Sequence, residues 1–136
     1  MARKRSNHPT DAELGILQVL WRRGPSTVRE VQEDLERTAP TGYTTVLKLM
    51  QIMTEKGLVD RDESQRAHVY SAGEARQTVQ RGLVGDLLDR AFDGSASLLM
   101  QQALATRPPS SEELDAIRRM LDAADRDGGA GEGGAQ

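Results

Sequence analysis

The sequence predicts a mainly α chain with one small β-hairpin, and three features lead there. Apolar residues recur at helical spacing in three successive segments, Leu14-Leu17-Trp21, Val28-Val31-Leu35 and Val46-Leu49-Met50-Met53. Two short stretches with β-branched or aromatic residues, 58–62 and 66–70, follow at once, joined by Glu63, Ser64 and Gln65 as a polar tip. Beyond a break at 71–74, three more amphipathic stretches complete the chain.

Each element has a local cause. Residues 1–9 carry Arg3, Lys4 and Arg5 with nothing to bury, so they are expected to form a disordered basic arm. Thr10 followed by Glu13 has the pattern of a capping box, which starts a first helix running to about Arg22. Gly24-Pro25 breaks it, and Ser26 or Thr27 caps a second helix that ends near Thr38. Pro40, Thr41 and Gly42 make a turn into a third helix over 43–56, which Gly57 ends as a left-handed cap. Three helices followed directly by a hairpin is the order of a winged helix-turn-helix, assigned here to residues 10–73.

The second half, 74–126, reads as helical. Val79, Leu83, Leu87, Leu88, Ala91 and Phe92 form a stripe that Asp93-Gly94-Ser95 ends, and Leu98, Leu99, Met100, Ala103 and Leu104 form the next. Arg107-Pro108-Pro109 stops that helix, and the Ser110 and Glu113 pair has a second capping-box spacing ahead of Leu114, Ile117, Leu121 and Ala124. Three short amphipathic helices cannot close a sizeable core alone, so this half is expected to interlock with a second copy as a dimerisation domain, with packing against the chain's own first helix as the alternative. Val79, Leu83, Leu87, Leu88, Phe92, Leu99, Leu114, Ile117 and Leu121 are the candidate dimer contacts. Residues 127–136, rich in Gly and Ala, are expected to be a disordered tail.

Composition narrows the function. At 136 residues the chain excludes a large enzyme, and 18 Lys and Arg against 21 Asp and Glu give a net charge of -3. Charge must therefore be read locally: residues 1–72 hold 11 basic and 10 acidic side chains, residues 73–136 hold 7 and 11. With no cysteine there is no disulfide, thiolate metal site or Cys nucleophile. No apolar run approaches the roughly 20 residues of a membrane span and none follows the basic start, so a cytoplasmic protein without membrane association is expected. His8 and His68 stand far apart with no acid-base spacing, and Gly128, Gly129, Gly131, Gly133 and Gly134 follow a helix rather than a strand. Neither catalytic residue, metal site nor cofactor is expected.

The third helix carries the functional signal. Opposite its apolar stripe lie Thr44, Lys48, Gln51 and Glu55, with Thr45 and Leu47 at the margins. Thr, Lys and Gln reach base edges or phosphates in a major groove. Arg61 and Arg66 flank the hairpin tip where a DNA backbone would pass, beside Asp60, Asp62 and Glu63, which would repel it. Arg5 in the arm offers a further phosphate contact. One Trp, two Tyr and one Phe are too few for single-strand stacking platforms, so double-stranded DNA is the expected partner. A winged-helix protein-interaction module without DNA binding is the alternative that the net charge suits.

The runs Thr10-Asp11-Ala12-Glu13-Leu14 through Val19-Leu20-Trp21, Thr27-Val28-Arg29-Glu30-Val31, Tyr43-Thr44-Thr45-Val46, Glu55-Lys56-Gly57-Leu58-Val59 and Arg66-Ala67-His68-Val69-Tyr70 resemble the penicillinase and methicillin-resistance repressors and their copper-responsive relatives. The resemblance covers residues 8 to about 126. It implies a homodimeric winged-helix repressor that binds a palindromic operator, usually controls β-lactam resistance genes, and is released by an inducing signal. It also implies that the start of the third helix makes the main groove contacts, here Thr44, Thr45 and Lys48. With the neighbouring Thr41 and Tyr43, and with Gln51, Arg61, Arg66 and Arg5, these make up the candidate DNA-contacting set. Well-known members that this chain resembles are inactivated by a protease at an Asn-Phe bond, whereas the corresponding stretch here is Gln101-Gln102-Ala103-Leu104. The copper-responsive relatives use C-terminal cysteines, which this chain lacks. Ile52 stands where many relatives carry a polar or basic residue.

Overall fold

A computed structural model describes residues 8–135, with the side chains of 129–135 outside the description. Arg5 and most of the expected basic arm lie outside the described residues. The chain divides into two compact units, up to Asp86 and from Leu87 onward. The division falls within a helix and not at the 73/74 boundary that the sequence suggests.

The first unit contains α1 (Asp11–Arg23), α2 (Val28–Leu35), α3 (Tyr43–Lys56), β1 (Val59–Asp62), β2 (Val69–Ala72) and the start of α4 (Arg76–Ala91). Both N-terminal helices begin with complete capping boxes. The Thr10 hydroxyl accepts from Glu13 N–H while Glu13 accepts from Thr10 N–H, and Thr27 with Glu30 repeats the exchange at α2. Thr27, not Ser26, is therefore the cap. Regular helix in α2 ends at Leu35, short of the expected Thr38, and a tight turn follows in which Ala39 N–H donates to Leu35 C=O at 2.8 Å. Gly57, with φ 84°, ends α3 in the left-handed conformation expected of it.

The core sits between the three helices and the hairpin. Ile16, Leu17 and Leu20 of α1 meet Val31 of α2, Val46, Met50 and Met53 of α3, and Leu58, Val59 and Tyr70. The sequence centred the α1 stripe on Leu14, Leu17 and Trp21, but Leu14 and Trp21 lie at its margins. Trp21 instead uses its indole N–H to reach the Glu74 carbonyl at 3.3 Å.

The hairpin also differs from its sequence reading. Its antiparallel register pairs Val59 with Ala72 and Asp62 with Val69, so the second strand begins three residues later than the expected 66–70 and ends two later, and the tip spans 63–68. The cause is long-range. Tyr70, 2% exposed, exchanges two backbone hydrogen bonds with Ser26 (2.8 and 2.9 Å), a one-residue bridge that makes the ribbon locally three-stranded. Ser71 and Ala72 thus extend the strand, and the break begins at Gly73. A Cβ on Gly73 would lie 2.8 Å from the Gly57 carbonyl oxygen, so the chain passes there only as glycine.

One ion pair reaches across the unit. The Glu13 carboxylate, 2% exposed, takes the Lys56 ammonium at 2.8 and 3.0 Å, joining the first turn of α1 to the last residue of α3. Each charge also suits the helix end it occupies. At the other end of α1, Asp34 of α2 accepts Arg22 at 2.7 Å and faces Arg23 at 3.5 Å.

Val79 of α4 is 8% exposed, covered within the single chain. In the second unit, α4 ends at Ala91, and Asp93 and Gly94 turn the chain at positive φ (53° and 75°). α5 (Ala96–Thr106) is capped by the Ser95 hydroxyl, which accepts from Leu98 N–H. α6 (Ser111–Ala135) starts where Ser110 accepts from Glu113 N–H at 3.1 Å. Instead of ending near Arg126, α6 continues to Ala135; no proline interrupts it, and glycine lowers helix stability by about 1 kcal/mol per residue without blocking it sterically. Among the described residues of this unit no apolar side chain is buried, and Leu87, Leu98, Leu104, Met120 and Leu121 are exposed. No helix among the described residues is long and apolar enough to cross a membrane.

Two stability measurements follow. Lys56→Met strands a buried carboxylate and should lower the unfolding free energy by about 1–3 kcal/mol in urea titrations. Gly73→Ala forces backbone against backbone and should cost a similar amount, about 1–3 kcal/mol, while the exposed control Gln51→Ala leaves the midpoint within about 0.5 kcal/mol.

Candidate nucleic-acid interface

The packing of α3 leaves one side of it uncommitted. Val46, Met50 and Met53 are fully buried, which turns Thr44, Thr45, Lys48, Gln51, Ile52 and Glu55 outward, all exposed. Thr44, Thr45, Lys48 and Gln51 have no hydrogen-bond or ion-pair partner among the described residues. The helix that the sequence singled out is thus held on one face and offers a polar surface on the other, one turn apart from residue 44 to 48 and again to 51 or 52. Ile52 adds an apolar group, 37% exposed, to that surface.

Tyr43 opens the helix, 45% exposed, and the Arg29 guanidinium lies over its ring at 5.8 Å from the centroid. Thr41 is occupied by the turn: its hydroxyl donates to the Ala39 carbonyl at 2.7 Å, and its own carbonyl accepts from Gln32 Nε2 at 3.2 Å.

On the hairpin the two arginines differ. Arg61 is bound to Glu63 at 2.8 Å. A side-chain hydrogen bond with Tyr70, followed by the charge of Glu63, holds its guanidinium above the ordinary range. Arg66 sits at the tip with Ala67 and His68, exposed and without a carboxylate partner among the described residues. The acids that would oppose a phosphate are partly spoken for. Asp62 accepts from Ser64 N–H at 2.9 Å, which holds its carboxyl below the usual aspartate range, and Glu63 faces Arg61.

Sequence reasoning gave Arg29 no role and weighed His68 only as a catalytic candidate. Together with Thr27, Tyr43 and Arg66 they line a recess of about 370 Å³ between the start of α2, the start of α3 and the hairpin tip. One signal for Arg29 was available: a cation in the first turn of a helix opposes the helix dipole, so its presence there needs another reason. Among the described residues no group of three or more His, Cys, Asp or Glu is placed to hold a metal ion. The stretch Gln101-Gln102-Ala103-Leu104 lies within helix α5.

Comparison with known proteins adds the lineage. The sequence profile of the penicillinase repressor family matches residues 9–123. A transcriptional regulator BlaI of Mycobacterium tuberculosis is 35% identical over 114 residues, covering 82% of this chain and 80% of that protein. The penicillinase repressor of Bacillus licheniformis is 21% identical over 113 residues, covering 83% and 88%. Among solved structures, the DNA-binding domain of the repressor BlaI aligns with a TM-score of 0.45 at 24% identity, covering 49% of this chain and 82% of that one. With the profile matched over nearly its whole described length, this chain belongs to the penicillinase repressor family.

Proposed function

We propose that this chain is a homodimeric, sequence-specific repressor of transcription that binds a palindromic operator in duplex DNA and leaves it on an inducing signal. The observation that carries the reading is the free polar face of α3: Thr44, Thr45, Lys48 and Gln51 are exposed and unpaired on a helix whose other side is locked into the core. A helix held that way enters a major groove as a rigid reader, with its first turns at the base edges. The names carried by the relatives, transcriptional regulator and penicillinase repressor, support the same reading. Arg66 at the hairpin tip serves as a backbone contact, as does Arg5 from the arm.

Dimerisation rests on a different observation. Leu87, Leu98 and Leu121 are 47%, 46% and 60% exposed in a unit with no buried apolar side chain among the described residues. Such helices gain their stability from a partner surface, and a second copy provides one that is self-complementary. Two copies related by a two-fold axis read half-sites about 34 Å apart or a multiple of it. The bond at which relatives are cut is absent here, so a protease, if it is the inducing agent, acts at another bond.

Selection of a duplex from a random library, followed by salt titration, tests the first part. Affinity should fall steeply with salt, and Lys48→Ala and Thr44→Ala should each cost about 1–3 kcal/mol of operator binding. Salt-independent binding, or none, would instead favour a winged-helix protein-interaction module. For the second part, Leu87→Asp or Leu121→Asp should lower both the dimer fraction in sedimentation and operator affinity. A monomer that still binds a full site tightly would overturn the dimer model.

A further inference from the structure

Ile52 stands on the outer face of α3 for no reason that the fold supplies. It is 37% exposed, whereas Leu47 and Leu49 on the flanks of the same helix pack against the core and Val46, Met50 and Met53 are fully buried. Water favours a polar side chain at such a position, and a β-branched one also lowers helix propensity. Isoleucine is unfavourable there on both counts, so its role lies outside the folded chain.

The helical period defines its surroundings. At 100° per residue, the outward side chains of α3 fall into two rows on either side of Lys48. Thr44 and Gln51, seven residues apart, lie about 40–60° to one side, and Thr45 and Ile52, also seven apart, lie about 40–60° to the other. Each row runs about 10 Å along the axis, inside the roughly 12 Å width of a major groove. The rows differ at their ends: Gln51 closes one with an amide that donates and accepts, and Ile52 closes the other with a purely apolar surface. Thymine is the base that presents an apolar group in the major groove, its 5-methyl, and adenine of the same pair offers the N7 and N6 pattern that an amide matches. Glu55, exposed and three residues beyond Ile52, repels the phosphate backbone from this end of the face, which leaves base edges for Ile52 to meet.

We propose that Ile52 reads the 5-methyl group of one thymine in each operator half-site and is a specificity-determining residue, an inference that rests on α3 being the DNA-reading helix. A β-branched side chain on a helix is held in one χ1 rotamer before contact, so little freedom is lost on binding. The contact carries no charge and is insensitive to salt, unlike that of Lys48.

The test removes one methyl at a time. A duplex is selected from a random library with the full native chain, and each thymine of a half-site is then replaced singly by deoxyuridine, which pairs alike and lacks only that methyl. One thymine per half-site should emerge whose replacement weakens native binding about three- to fivefold, the effect of one buried methyl group. The same replacement should leave the affinity of Ile52→Ala unchanged and affect Ile52→Val by a smaller factor, with equal salt slopes for all three proteins. Alanine is the better helix former, so the variant keeps its fold. If every deoxyuridine acts alike on the native chain and on Ile52→Ala, the assignment of Ile52 is overturned while DNA binding stands. If the native chain selects no duplex, the DNA-reading function itself fails, and the assignment falls with it.

Discussion

The Glu13 carboxylate completes the capping box of α1 and, from the same buried position, holds the Lys56 ammonium at the far end of α3. Through that pair the start of one helix fixes where another ends. α3 cannot slide or roll without stranding a charge away from water, which is among the costlier events in a protein interior. The core side chains Val46, Met50 and Met53 then set its rotation, and the turn through Thr41 sets its beginning. What remains is a helix constrained at both ends and along one side, whose outer face has no structural task.

How far this was legible in the sequence depended on whether the cause was local. Thr10 with Glu13, Gly24-Pro25, Gly57 and Arg107-Pro108-Pro109 act on their own neighbours, and the elements they bound lie within a few residues of where the sequence puts them. The outer face of α3 was legible for the same reason, since a helical period places Thr44, Lys48 and Gln51 opposite Val46, Met50 and Met53. The second strand was not. Its register is decided by Tyr70 meeting Ser26, 44 positions earlier, and no window along the chain contains both. The Glu13 and Lys56 pair, 43 positions apart, was invisible likewise, and so was the recess that brings Arg29 to Arg66. Val79 lies on an apolar stripe that the sequence reads as a partner surface, and the chain's own fold covers this one residue.

The net charge of -3 is a poor guide to the surface for a related reason. Several carboxylates on the first unit are engaged: Glu13 by Lys56, Asp34 by Arg22 and Arg23, Glu30 by the α2 cap, Glu63 by Arg61, Asp62 by a turn. A carboxylate paired at contact distance projects little field beyond its partner, whereas Lys48, Arg29 and Arg66 have no acidic partner among the described residues. The charge met near α3 is therefore set by which groups there are paired, and not by the balance of the whole chain.

The bridge between Ser26 and Tyr70 anchors the hairpin close to its tip, since Tyr70 faces Arg61 and only Asp62 and Val69 pair beyond it. An isolated two-stranded ribbon is marginal in water, and this bridge ties it to the chain just ahead of α2. The tip is thereby held near the start of α2, and its reach is set by residues 63–68 alone.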